Sequence, residues 1–400
     1  MRTISSTLLT AQQNTKATPH IHIIINAVDY SSRLLRLEHT EEPYRDTAII
    51  ILRNNDRLFD GLDLRGYKFR IGYGHTTAAT PATWAATTAY VVGDSVQPVT
   101  PNGNRYYCTV AGTSGASQPT WPTIGNTVVD GTVTWEYGGD DGDEYSYSAD
   151  LWIKGQLLLS RQGESICLLS CGGHWEYLRE QRMMSYGSAP FWTNTWNATQ
   201  TVYALIEIFI ETVYSWTLNA APGTDDGILT TFAPVFTINS TPQKVESTAM
   251  ILFDLLSMTK CYMRVKANSV FEIVYPQAAD AANETYYSNQ VPYFLEYTER
   301  KNLLIPNSIV VYANILDAEA PGYASLITGT ASDTAQIAKY VEVKDPNYAP
   351  ATTTQANADN RASAILTRVK TELVDGKLFI PHDARVELYD KVAVYDARGY

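Results

Sequence analysis

Two strand-like stretches separated by a long, weakly charged excursion constrain this chain more than any other feature. Gly66-Tyr67-Lys68-Phe69-Arg70-Ile71-Gly72-Tyr73 alternates in strand fashion, and so does Tyr145-Ser146-Tyr147-Ser148-Ala149-Asp150-Leu151-Trp152-Ile153. Between them, Trp84 to Trp135 crowds Trp, Tyr, Gly, Thr and Pro together with few charges. A chain that leaves one strand and returns on another after such an excursion reads as a hairpin with a module grafted at its tip, where insertions disturb least. Residues 77–143 are the expected module. His75 to Pro81 and Gly138-Gly139-Asp140-Asp141-Gly142-Asp143 are its expected entry and exit linkers.

The 400 residues give room for about two to four domains. A 45% hydrophobic fraction with 27 tyrosines favours a mainly β chain, and 18% charged residues implies that much surface is buried in an assembly. The net charge of −12 argues against general phosphate-backbone binding and leaves only local basic patches for it, so no nucleic-acid specificity is expected. No apolar run reaches the roughly 18 to 20 residues of a transmembrane segment. The longest, Val202 to Trp216, carries Glu207 and Glu211 on one stripe and reads as a buried amphipathic helix. M-R-T-I-S-S-T-L-L-T lacks the apolar core of a secretory signal, which makes synthesis in a cytoplasm the expectation. The end at Gly399-Tyr400, just after a strand, suggests that a longer protein continues beyond it.

Along the chain, residues 19 to 30 predict a strand with Ile21, Ile23 and Ile25 on one face. Leu34 to Thr40 and Thr47 to Arg53 predict two more, and Leu151 to Leu159 with Glu164 to Ser170 a hairpin. Strand after strand without helices predicts a closed or nearly closed antiparallel β-barrel from residues 1–76 plus 144–183. Residues 184–295 predict an α+β unit. Asn197-Ala198-Thr199 caps a helix from Gln200 to Trp216, Ser240-Thr241-Pro242 opens another reaching Ser257, and a hairpin follows over Cys261 to Tyr275. Residues 296–400 predict a return to strands, at Ser308 to Tyr312, Ala338 to Val343, Leu378 to Pro381 and Arg385 to Val394, with a helix over 354–372.

Reactive chemistry is sparse. Cys108, Cys167, Cys171 and Cys261 make no disulfide framework. Cys167-x3-Cys171-Gly-Gly-His174 offers three zinc-type ligands but no fourth, and the alternation of I-C-L-L-S-C turns both sulfurs to one core side, so buried thiols are expected. His20 with His22, the carboxylates of Asp140-Asp141-Gly142-Asp143-Glu144, and the pair Glu207 and Glu211 lack the spacing of a metal or acid–base site. No serine-elbow, zinc-helix or phosphate-loop motif occurs. No catalytic residue, metal or cofactor is assigned.

Several segments in order carry a resemblance: E-H-T-E-E-P-Y-R-D-T-A-I-I-I-L-R-N-N-D, then Gly61-Leu62-Asp63-Leu64-Arg65-Gly66, and, in the last fifty residues or so, A-D-N-R-A-S-A-I-L, L-F-I-P and V-E-L-Y-D-K-V-A-V. The order resembles the baseplate or tail-tip hub proteins of tailed bacteriophages. That resemblance implies a virion structural protein at the tail tip, made in the host bacterial cytoplasm. It implies a homotrimer whose subunits each give two related barrels to a pseudo-sixfold ring, the second barrel falling on residues 296–400. The ring would adapt a hexameric tail tube or distal tail protein above to a trimeric central spike or fibre below, with the tape-measure protein as a further neighbour.

The excursion resembles a second family, the short chitin-type carbohydrate-binding modules, through Trp84, Tyr90, Gly93-Asp94, Val96, Tyr106-Tyr107, Pro119, Trp121 and Trp135. Such a module implies a small all-β unit binding a host-surface polysaccharide by stacking sugar on aromatic faces. Trp84, Tyr106, Tyr107, Trp121 and Trp135 are the candidate sugar contacts. A unit this small also needs large side chains for its core, which favours a core role for Trp84, Tyr90 and Trp135; the sequence leaves the division open for the others. The competing reading is a glycan-degrading enzyme or adhesin that carries the module internally. The internal position and the absence of an export signal weigh against it.

Overall fold

The computed structural model describes residues 1–398 apart from 15, 78–79, 123–125, 162, 184–192, 225, 240–244, 278, 314–325, 350–351, 353 and 373. The chain is mainly β. Its first part is one eight-stranded antiparallel sheet built from Pro19–Ile25, Val28–Asp29, Leu34–Glu42, Arg45–Arg53, Lys68–Thr76, Asp143–Tyr147, Leu151–Arg161 and Glu164–Gly172. Alternation does the folding: along Arg45–Arg53, Ala48, Ile50 and Leu52 face a core shared with Ile23, Phe69 and Leu169. The expected long strand over 19–30 is instead a hairpin. Asn26 and Ala27 take φ of +47° and +58°, the left-handed geometry of a tight two-residue turn, and Ile25 pairs with Val28.

Of the two expected forms, closed and nearly closed, the fully closed barrel is not formed. The backbone ladder ends at Leu34–Glu42 on one side and at the short Val28–Asp29 strand on the other. Side chains bridge the gap instead: His39 Nδ1 lies 2.6 Å from the Tyr73 hydroxyl across a cavity of about 450 Å³ lined also by Ile21 and Leu37.

The excursion forms a second sheet in the order Thr127–Asp130, Val133–Asp140, Asn104–Val110, Ser95–Gln97, Ala82–Thr83. It leaves and rejoins the first sheet at neighbouring positions, since Thr76 and Asp143 are register partners. The expected exit linker is corrected: Val133–Asp140 runs as a strand straight through Gly138-Gly139. These glycines make room for rings. A Cβ at Gly138 would lie 2.5 Å from Tyr107 Cε2, and one at Gly139 2.5 Å from Tyr145 Cε2.

In the middle of the chain, Thr201 Oγ1 accepts from Ala204 N at 3.2 Å and starts the helix Val202–Glu207, which widens into a π-helical stretch over Ile208–Val213. The cap expected at 197–199 is displaced because Thr193–Asn197 pairs with Val235–Asn239 as a strand. Ser247 caps Thr248–Ser257; the expected start at Ser240-Thr241-Pro242 lies outside the described residues. These helices and the hairpin Tyr262–Lys266/Val270–Val274 share a core of Leu205, Phe209, Leu252, Leu255, Met263 and Phe271. Trp175 and Leu178, on an unexpected helix His174–Glu180, join it. A second unexpected helix, Ser6–Gln12, is capped by Ser5 and buries Leu8.

The second expected barrel is replaced by three small sheets. Ser308–Ala313 pairs antiparallel with Ile327–Ser332 and parallel with Lys344–Ala349. Ile327–Ser332 and Lys344–Ala349 are the two edges of this sheet, so the chain between them must pass over the middle strand. The expected strand over 338–343 gives way to that crossing, whose helix Thr334–Lys339 is capped by Asp333. Of the expected strand over 385–394 only Val392–Tyr395 forms, parallel to Glu284–Tyr287, while Val374–Phe379 pairs with Glu296–Lys301.

The helix Gln355–Glu372 covers one face of the three-stranded sheet, seating Ala362 and Leu366 on Ile309 and Val311. Contact is closest at Gly329, where an added Cβ would overlap the Ala358 carbonyl. Gly329→Val is therefore expected to cost about 2–4 kcal/mol by lifting the helix from the strand. Urea unfolding measures it, and an unchanged midpoint would mean that the helix does not sit there.

Candidate functional site

The insert is organised around one acid. Asp130 Oδ2 accepts from Trp84 Nε1 at 2.8 Å and from Trp135 Nε1 at 3.0 Å, while Oδ1 accepts from Gly115 N at 2.8 Å. Two indoles are thereby fixed with their donors satisfied inside a small core. Trp84, Tyr106 and Trp135 are buried, at 6%, 2% and 0% exposure, so none of these candidate sugar contacts presents an open ring face. Tyr90 meets Trp135 edge-on at 4.8 Å, as its expected core role requires. Trp121 is half-buried against Tyr106, with ring centroids 4.4 Å apart. Tyr107 is half-buried on the opposite sheet face, its hydroxyl accepting from Tyr145 N at 3.2 Å. Sequence reasoning missed Asp130. Its only signal is the Asp130-Gly131 turn between two apolar strands, where Gly131 takes φ +65°.

Charged pairs weld the insert to the first sheet. Arg105, 0% exposed, pairs with Glu144 on Asp143–Tyr147, and Glu144 also accepts from the Ser5 hydroxyl. Arg70 on Lys68–Thr76 pairs with Glu136 of the insert and lies 3.3 Å from Asp150, which Lys68 Nζ reaches at 2.7 Å. The Arg70 guanidinium also lies over the Tyr147 ring at 4.4 Å. Such ions tolerate burial only because each is matched. Within the acidic run expected to be a solvated linker, Glu144 thus turns inward.

Cys167 and Cys171 face the core of the first sheet together, as their alternation predicts, and burial pushes their thiols up to about 11 and about 12. His174 is not aimed at them. Its Nε2 lies 2.9 Å from Ser269 Oγ, and burial pushes the imidazole down to about 4. His22 Nδ1 lies 2.8 Å from the Tyr147 hydroxyl, and His20 pairs with Asp143 at 3.4 Å. Glu211 accepts from Leu218 N at 3.1 Å, which ties the π-helical stretch to the next strand.

Where the insert, the N-terminal residues and the 266–270 turn meet, a cleft of about 520 Å³ opens. Val92 and Tyr107 reach it from the insert, Tyr145 and Tyr147 from the first sheet, and Asn268 from the turn.

No family model matches the chain, and no curated protein matches it in sequence. Solved structures do. A tail protein from Neisseria meningitidis MC58 superimposes with a TM-score of 0.54 at 9% identity, with 96% of this chain covered and 88% of that one. The chain has a tail-protein fold. The 43 kDa tail protein of prophage MuSo2 from Shewanella oneidensis aligns with a TM-score of 0.48 at 12% identity, with 95% of this chain covered and 90% of that one. The prophage tail protein gp18 from Listeria monocytogenes EGD-e gives 0.42 at 7% identity over 86% and 76%. Among the described residues of this tail-protein fold, no helix is long and apolar enough to cross a membrane.

Proposed function

We propose that the chain is a structural hub at the tip or baseplate of a bacteriophage tail. Three copies form a ring that joins a hexameric tail tube to a trimeric central spike or fibre, and the work is mechanical rather than catalytic. The observation that carries this is the fold likeness to a tail protein along 96% of the chain. The outer face of the first sheet supports it. Ile51, Leu168 and Leu157 stand in register across three strands, and with Ile49, Leu159 and Ile166 they form an apolar face on which Leu157 is 56% exposed. A monomer gains nothing from such a face, whereas a ring buries it.

Electron microscopy of the tail is expected to find three copies of the protein around the axis at the tube end; one or six copies would end the proposal. In the purified trimer, Leu157→Glu with Leu168→Glu is expected to remove about 1.5–3 kcal/mol per leucine at each interface and leave monomers by light scattering. An intact trimer in that variant would place the ring contact elsewhere. The insert, residues 77–143, projects from this ring as the host-facing element, with a surface polysaccharide as its ligand. Tyr107 and Trp121, the rings left half-open, support that part.

A further inference from the structure

The insert's own aromatic residues are mostly spent on its core, yet aromatic and polar groups converge on the seam it makes with its host. We propose that this seam, rather than a face of the insert alone, is the saccharide site, and that it takes an uncharged oligosaccharide of two or three rings. The proposal rests on the reading of the insert as glycan-binding and locates that activity. The cleft of about 520 Å³ lies in the range of small-ligand sites. Its apolar contacts come from Val92, 51% exposed at the rim, and from the half-buried Tyr107, with the buried Tyr145 and Tyr147 behind them in the wall.

The polar groups set the ligand's chemistry. Asn268 is exposed on a left-handed turn at φ +62°. Its Oδ1 accepts from Arg70 at 3.3 Å, which holds the amide and leaves Nδ2 to donate. Glu387 lines the same cleft, buried, in an ion cluster with Arg2 at 3.8 Å and Arg264 at 3.7 Å. Glu136 and Glu144 add carboxylates to the wall. The wall's charges are already matched, Glu136 by Arg70, Glu144 by Arg105, Glu387 by Arg2 at 3.8 Å and Lys266 by Glu272 at 3.5 Å, so a phosphorylated or acidic glycan would have to displace a carboxylate to reach a cation, whereas sugar hydroxyls donate to carboxylates and accept from an amide. Because the lining comes from the insert, the first sheet and the middle hairpin, the site exists only while the insert is docked.

Calorimetric titration of the full chain with cellotriose, chitotriose and maltotriose tests this, with an acidic trisaccharide as the contrast. At least one neutral sugar is expected to bind and the acidic one not. Val92→Trp fills the rim, and Asn268→Gly keeps the left-handed backbone while removing the amide; each is expected to weaken binding tenfold or more. Val129→Asp, on an exposed strand of the insert, is expected to leave binding unchanged. Neutral-sugar binding that ignores both seam variants overturns the seam and leaves the glycan reading of the insert standing. A wild-type chain that binds neither these sugars nor intact host polysaccharide removes both, and preference for the acidic sugar overturns the stated ligand class.

Discussion

Glu144→Ala is expected to lower the stability of the chain by about 3–5 kcal/mol, because it leaves a buried guanidinium without its counter-ion. Arg105 is 0% exposed and Glu144, in the wall of the cleft, 2%, so the pair is almost wholly shielded from water. Arg105 also donates to the Asp141 carbonyl, which is neutral and does not offset the charge. Glu144 accepts from Ser5, whose hydroxyl in turn accepts from Leu8 N at 3.0 Å, so the substitution also loosens the start of the Ser6–Gln12 helix. The double variant Arg105→Met with Glu144→Leu removes both charges at similar volume and is expected to recover most of the loss, since a matched buried pair contributes little beyond its own desolvation. Denaturant unfolding of the single and double variants reads the coupling. A single-variant loss below about 1 kcal/mol would mean that Arg105 is hydrated in solution and that the insert is held less rigidly than its buried pairs imply.

This pair marks the limit of what the sequence made legible. The strands of the first sheet follow from alternation, and so does the shared inward face of Cys167 and Cys171, because each residue's direction is set by its own position in the pleat. The helix over 355–372 was equally legible, since Ala358, Ala362, Ile365, Leu366 and Val369 repeat at helical spacing. What pairs with what across the fold was not. Nothing local tells Lys344–Ala349 to lie parallel to Ser308–Ala313, and the second barrel rested on the resemblance alone. Gly138-Gly139 looks like a linker until the rings of Tyr107 and Tyr145 are placed on it. Asp130 and Glu144 look like solvated turn acids because their partners, Trp84, Trp135 and Arg105, are mostly tens of residues away. In the insert the aromatic order was readable, but burial alone separates core rings from open ones.

Acidification is expected to cost the fold several kcal/mol between about pH 6.5 and pH 4, before most carboxylates titrate. Burial pushes His174 and His382 down to about 4 and lowers His75 as well. The unfolded chain holds these imidazoles near 6.5 and so binds more protons than the folded chain throughout that window. Stability therefore falls as pH drops, and the loss is complete once pH lies below the folded values. For His174, 1% exposed, a shift of this size corresponds to about 3 kcal/mol; the half-buried His382 contributes less. His75 and His382 stack at 5.1 Å, so the second proton also meets the first. Glu41 works the other way, because burial raises its carboxyl, but it is one group against three. Urea unfolding at pH 7, 5 and 4 measures the slope. His174→Gln, which keeps a donor for Ser269, is expected to flatten it by about one proton. A midpoint constant from pH 7 to pH 4.5 would show that the imidazoles charge without opening the fold. His382 follows the Val374–Phe379 strand and packs on His75 beside the root of the insert, so acid is expected to loosen first the contact that ties the last third of the chain to the first sheet.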